Sequence, residues 1–198
     1  MVLRWDPVGL TGIIAFWIGF IAFVVALFLA RQRGAKAPKS DNRDRRSASI
    51  LWIGVQGLAI GFIAIGPVLV RLDPFSATAV VQAAVVLVLT LFAAWLFDAA
   101  SREMGRNWAL VARTRDDGNL VQSGPFAYIR NPIYVALFCI MVGMAIAYGH
   151  SRNLIVAVPL YAFATWMRVR HEEAVLRATF PDYDAYAARV KRFIPGLL

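Results

Sequence analysis

Three long apolar runs, residues 8–30, 50–70 and 78–97, limit what this chain can fold into more than any other feature. Each is close to the roughly 20 residues that carry a helix across a bilayer. Runs of that length with no polar face are not the amphipathic elements of a water-soluble core. Two further runs, 132–149 and 154–167, are separated only by His150, Ser151, Arg152 and Asn153, which reads as a tight helical hairpin. Composition agrees, with 60% hydrophobic and 17% charged residues in 198, where soluble chains average about 45–50% and about 25%. The expected fold is all-α: a polytopic transmembrane bundle of about five spans with a C-terminal cytoplasmic helical segment.

The run 8–30 exceeds a signal-peptide core and lacks a basic leader or an Ala-x-Ala cleavage site, so it is expected to stay in the mature protein. Orientation follows from the cations. With five spans and the N-terminus outside, segments 31–49, 98–131 and 168–198 hold seven, five and six Lys or Arg, against Arg4, Arg71 and Arg152 on the other side. That asymmetry puts the C-terminus in the cytoplasm, and the basic, Ala- and Arg-rich composition suggests a bacterial inner membrane. It also accounts for the net charge of +9 without a nucleic-acid partner. The basic linker 31–49 reads as a topology-setting segment that touches anionic membrane lipids. Gly57-x-x-x-Gly61 permits close helix contact without specifying an oligomer, and Pro67 and Pro159 are expected to kink their spans or free a carbonyl. Cys139, His150 and His171 are too few for a His/Cys metal site, so no metal is expected.

The chain divides at residue 97, with a three-span region before it and the polar residues gathered in 98–198. Residues 98–131 are too polar to span and too aromatic for a plain linker, and Trp108, Phe126 and Tyr128 suggest interfacial packing. Residues equidistant from the hairpin turn lie at similar depth, so Tyr134 is level with Val169 and Asn131 with Glu172. Arg130, Asn131 and Tyr134 therefore face Arg168, Arg170, Glu172 and Glu173 across a polar pocket bounded by lipid and open to the cytosol. Embedded charges of this kind are costly and tend to be paired or functional. In the plainer reading the arginines snorkel and the glutamates neutralise them.

These residues resemble the signature of the membrane-embedded isoprenylcysteine carboxyl methyltransferases and their bacterial relatives, which are also similar to phospholipid N-methyltransferases. The family pattern is Arg-His-Pro-x-Tyr at one helix start and Glu-Glu at the end of the next. Here it reads Arg130-Asn131-Pro132-Ile133-Tyr134, then Glu172-Glu173 after 37 intervening residues. MGRNW (104–108), GNLVQSGPFAYIRNP (118–132), EEAVL (172–176) and YAARVKRFIP (186–195) flank it, so the likeness covers about half the chain, roughly 98–196. Asn131 stands where the family has His, which removes any titrating imidazole but keeps a hydrogen-bond donor. Pro181 replaces the usual Gly after Phe180.

The resemblance implies a membrane methyltransferase that uses S-adenosylmethionine without a Rossmann domain and acts on a lipid-borne substrate. Its cofactor wall would be Tyr128, Arg130, Asn131, Pro132 and Tyr134, with Glu172 and Glu173 for the cofactor's ammonium and ribose hydroxyls. A carboxylate acceptor, as on an isoprenylcysteine-like substrate, is already ionised and needs positioning by an arginine, Arg170 first and Arg168 second. A phospholipid amine would need a base such as Glu173. A non-catalytic membrane protein that retains the fold is the third reading. Each residue also has a plain role: Tyr128 and Tyr134 as belt residues, Pro132 as a helix N1 proline, and the glutamates as partners for Arg168 and Arg170.

Overall fold

The computed structural model describes residues 5–34, 43–105 and 120–197, with backbone alone for 43–49. Among them are six helices: α1 (Leu10–Gly34), α2 (Arg43–Ile63), α3 (Ala77–Met104), α4 (Pro132–Tyr148), α5 (Leu154–Thr179) and α6 (Tyr183–Arg189). Two short parallel pairings depart from an all-helical chain among the described residues: β1 (Pro7–Val8) with β2 (Leu69–Val70), and an isolated bridge between Ile129 and Lys191.

Small residues set the packing. Lipid tails are as apolar as the side chains, so helices in a membrane associate through close contact rather than through expulsion of water. Gly19 of α1 faces Thr90 of α3 so closely that a Cβ there would overlap the threonine side chain, and a Cβ on Gly143 of α4 would stand 2.9 Å from Thr90 Cγ2. Around this contact Phe16, Phe23, Val86, Phe97 and Ile140 close the α1–α3–α4 core. On the other flank Ala59 and Ile63 of α2 pack with Met141, Ala157 and Tyr161. The outer face of α1 presents Ile14, Ile18, Ile21, Val25 and Phe28, and that of α3 presents Val81, Val88 and Trp95, all exposed. Apolar surface of this extent calls for lipid or another apolar partner.

Helices α1 and α3 are long and apolar enough to cross a membrane, whereas the apolar stretches Ile50–Ile63 and Pro132–Tyr148 are shorter. The expected span 50–70 needs correction, because α2 ends at Ile63. Gly66, at φ 138°, and Pro67 carry the chain out of the helix. Polar side chains of the hairpin turn then satisfy the carbonyls at that end, as helix termini require. His150 Nδ1 donates to Ile63 O at 2.6 Å, and Asn153 Nδ2 donates to Phe62 O at 3.2 Å and Ile65 O at 3.0 Å. His150, fully buried, is thus a cap between elements. Of the two prolines expected to kink spans, Pro67 lies outside any helix and Pro159 sits inside α5.

The polar stretch expected from residue 98 also begins later, since α3 continues to Met104. Asp98 stays within the helix by pairing with Arg33 of α1 at 2.9 Å and Arg102 at 2.7 Å. Gly57 and Gly61 face outward with nothing within contact range of a Cβ. Residues 35–42 of the basic linker, the side chains of 43–49, and Trp108 lie outside the described residues.

Candidate active site

Pro132 opens α4 at its first position, where its missing N–H is no loss. The residues just before it are held by the C-terminal segment. Arg130 N donates to Lys191 O at 2.8 Å, Asn131 N to Arg192 O at 3.0 Å, and the Asn131 amide to the same carbonyl at 3.3 Å. The side chain that replaces the family histidine is thus engaged with backbone. Tyr183, Tyr186 and Val190 form a small core with Leu176 and Phe180 that seats this segment. Pro181 fits the turn before α6, because among the described residues only glycines adopt positive φ.

Behind that clamp, α4 and α5 bring the first group of polar side chains together. Tyr134 Oη donates to Glu172 Oε1 at 2.6 Å, and Arg168 Nη2 donates to the same oxygen at 3.3 Å. The Arg168 guanidinium lies 5.0 Å from the centre of the Tyr134 ring, within cation–π range. Matching by depth paired Tyr134 with Val169, so the observed partner lies nearly one turn further from the hairpin. Side chains lean toward the N-terminus of their helix. On antiparallel helices Tyr134 therefore leans away from the hairpin and Glu172 toward it, and the two meet. Burial pushes the Glu172 carboxyl above the usual carboxylate range, against the pull of Arg168 and of the Tyr134 hydrogen bond.

Glu173 faces elsewhere. Its carboxylate is 3% exposed and receives Arg192 at 2.9 and 2.8 Å in a two-point contact, with Arg130 at 3.4 Å and Arg177 at 3.4 Å. Burial opposes its charge, but the Arg192 hydrogen bonds and the charges of Arg130, Arg192 and Arg177 outweigh it and hold the carboxyl below its usual range. Arg192 also stacks over Trp166, 4.8 Å from the ring centre. Arg130 Nε is buried without a hydrogen-bond partner among the described residues. A buried donor in that state points to an acceptor.

Residues 79–183, which contain α4, α5 and both glutamates, match the phospholipid methyltransferase family. The chain belongs to that family. Among its relatives is the nickel-cobalt-cadmium resistance protein NccN of Alcaligenes xylosoxydans xylosoxydans, 37% identical over 97 residues, which are 48% of this chain and 45% of the relative. The cobalt-zinc-cadmium resistance protein CzcN of Cupriavidus metallidurans is 36% identical over 98 residues, 48% of this chain and 44% of that protein. The chain thus spans less than half the length of either relative. Among the described residues no cluster of His, Cys, Asp and Glu is arranged to hold a metal. A membrane protein of a methyltransferase family is what the apolar helices and the family match together establish.

Of the predicted site residues, Arg130, Asn131, Pro132, Tyr134, Arg168, Glu172 and Glu173 surround the start of α4. Tyr128, 70% exposed, and Arg170, exposed on the opposite face of α5 from Arg168, stand outside the group. Residues two apart on a helix do not share a face, so only one of the two arginines could reach α4. Motif reading missed Gln56, Thr165 and Arg177, and named Arg192 only as part of a flank. Gln56 and Thr165 did carry a signal, being polar residues inside apolar runs.

Proposed function

We propose that this protein is an integral membrane methyltransferase that moves a methyl group from S-adenosylmethionine to a lipid-borne acceptor at the start of α4. The observation that carries the proposal is the Tyr134–Glu172–Arg168 assembly, where two apolar helices become polar together. The donor set suits the cofactor's amino-acid end. The Glu172 carboxylate, partly exposed at 23%, would take the ammonium or ribose hydroxyls, and the unpartnered Nε of Arg130 would take the carboxylate. S-adenosylmethionine supplies a methyl group already activated by a positively charged sulfur. The remaining task of the protein is alignment and exclusion of water, an effect that supplies roughly 7–11 kcal/mol in well-oriented systems.

Glu173 acts in this reading as the anchor that draws the C-terminal segment onto the start of α4, because three arginines already occupy it. In this reading the acceptor is a lipid amine, the choice that the raised carboxyl of Glu172 favours. An alkylammonium must lose a proton before its nitrogen can attack, and Glu172, with its carboxyl raised by burial, is the better base of the pair. With the proton held on Glu172, the neutral amine would be the nucleophile that the activated methyl group of a bound cofactor requires. A carboxylate acceptor of the isoprenylcysteine type would call on Arg168, which is already committed to Glu172 and Gln56. The arginines at this end, Arg177, Arg189 and Arg192, would rest against anionic headgroups of the cytoplasmic leaflet.

The test is incubation of the lipid-reconstituted protein with methyl-labelled S-adenosylmethionine and host lipid extract across a pH series. Labelled lipid with a rate that rises as Glu172 loses its proton supports the amine. A flat profile assigns the acceptor as a carboxylate. Neither label nor cofactor binding moves the chain to the non-catalytic reading.

A further inference from the structure

Gln56 is an uncommon residue for its place. It lies in the apolar part of α2, outside the segment that matches the family, and is 3% exposed. A buried amide in an apolar helix persists where its donors and acceptors are used. Its Nε2 donates to Thr165 Oγ1 of α5 at 2.7 Å, and its Oε1 accepts from Arg168 Nη1 of α5 at 2.8 Å. Thr165 and Arg168 are three apart and so share a face of α5, and Gln56 bridges them from across the helix interface. The other end of the same guanidinium, Nη2, meets Glu172, with the Tyr134 ring alongside. Helix α2 therefore holds one arm of the guanidinium whose second arm reaches the candidate site.

We propose that Gln56 is a positioning residue: held by Thr165, it fixes the rotamer of Arg168 directly, so that Arg168 presents Nη2 to the Glu172 carboxylate and its plane to Tyr134. The proposal rests on the functional reading above only for its effect on cofactor and turnover; its geometric part does not depend on that reading. It makes α2, which the family match does not include, a working wall of the site. Both polar ends of Gln56 are matched, its amide donating to Thr165 and its carbonyl accepting from Arg168.

The experiment has two arms on the full chain in detergent or lipid. In the first, melting temperatures are measured for Gln56→Met, Glu172→Gln and the double variant, and the same three substitutions are repeated in an Arg168→Met background. Gln56 and Glu172 act on one guanidinium without an intermediary other than Arg168, so their effects should be non-additive in the parent and additive once Arg168 is gone. Additivity in both backgrounds overturns the proposal. The second arm reads the dissociation constant for S-adenosylmethionine and the rate of lipid labelling at saturating cofactor. Gln56→Met is expected to weaken cofactor affinity, lower the labelling rate, or both, by about tenfold, whereas Gln56→Glu, which keeps an acceptor for Arg168, should retain at least a third of the parent affinity and rate. Equal loss in both variants, or no loss in Gln56→Met, overturns the proposal as well. If the parent itself neither binds cofactor nor labels lipid, the proposed function fails, and the melting cycle alone decides the role of Gln56.

Discussion

Successive residues on an α-helix point about 100° apart, and at Glu172-Glu173 that rotation separates two roles. Glu172 turns to α4 and meets Tyr134 and Arg168, while Glu173 turns to the C-terminal segment and meets Arg130, Arg177 and Arg192. Their neutral variants should therefore fail differently. Glu172→Gln is expected to weaken S-adenosylmethionine binding about tenfold in titration calorimetry, with a melting temperature close to the parent's, and equal affinity would remove Glu172 from the site. Glu173→Gln leaves three arginines around a buried position without their counter-charge, a change of the kind that costs about 3 kcal/mol. It should appear as loss of thermal stability. The pH dependence has a definite sign. Because the Glu173 carboxyl is lowered by folding, its contribution is full above the ordinary carboxylate value of about 4.3 and is lost as pH falls through the lower folded value. The parent's melting temperature should drop across that acidic window, and Glu173→Gln should show a shallower drop from a lower start.

At the scale of elements, what sequence could reveal depended on how local the determinant was. The apolar runs of α1 and α3 announced their helices by length alone, and the hairpin turn at 150–153 was visible as four polar residues between apolar ones. The end of α2 was not legible, because residues 64–70 are as apolar as the helix before them. What stops α2 is partly its own Gly66 and Pro67 and partly His150 and Asn153, more than eighty positions away in sequence. Tyr134, Arg168 and Glu172 meet across α4 and α5, Tyr128 and Arg170 stand apart from them, and Gln56 and Arg192 reach this end through long-range contacts that no spacing rule reveals. The tight crossing of α1 and α3 offers a test of the packing. Gly19→Val sets two methyls where Thr90 already sits, and overpacking of this order costs about 1–3 kcal/mol. A lower melting temperature relieved by Thr90→Ala is the expected result, since the smaller residue returns the space. His150→Ala should likewise destabilise by about 1–3 kcal/mol through the carbonyl of Ile63 left buried without a donor, and proteolysis at the α2–α3 connection is the direct readout.

Over the whole molecule the contacts sort into two ends. Asp6 N donates to Gly149 O at 2.9 Å, β1 pairs with β2, and His150 meets Ile63, so the start of α1, the end of α2 and the α4–α5 turn share one end. Arg33 at the end of α1 meets Asp98 and Ser101 of α3, and the start of α4 meets the C-terminal segment, which defines the other. Among the described residues, α1 and α3 therefore end on the side where α4 begins, so the Arg33–Asp98 pair and the candidate site share that end. Under the proposed function that end would face the cytoplasm, where the cofactor is made, and the exposed apolar faces of α1 and α3 would meet lipid. Impermeant thiol labelling of intact cells tests this placement. With Cys139 replaced by alanine, a cysteine at Ser151, exposed in the hairpin turn, should label from outside, and a cysteine at Ala185, exposed on α6, should label only after the membrane is opened. The reverse pattern would invert the bundle and put the site on the wrong side for a cytoplasmic methyl donor. Labelling of both from outside would mean that α4 and α5 do not cross, so the polar assembly would lie at the outer surface rather than between two spans.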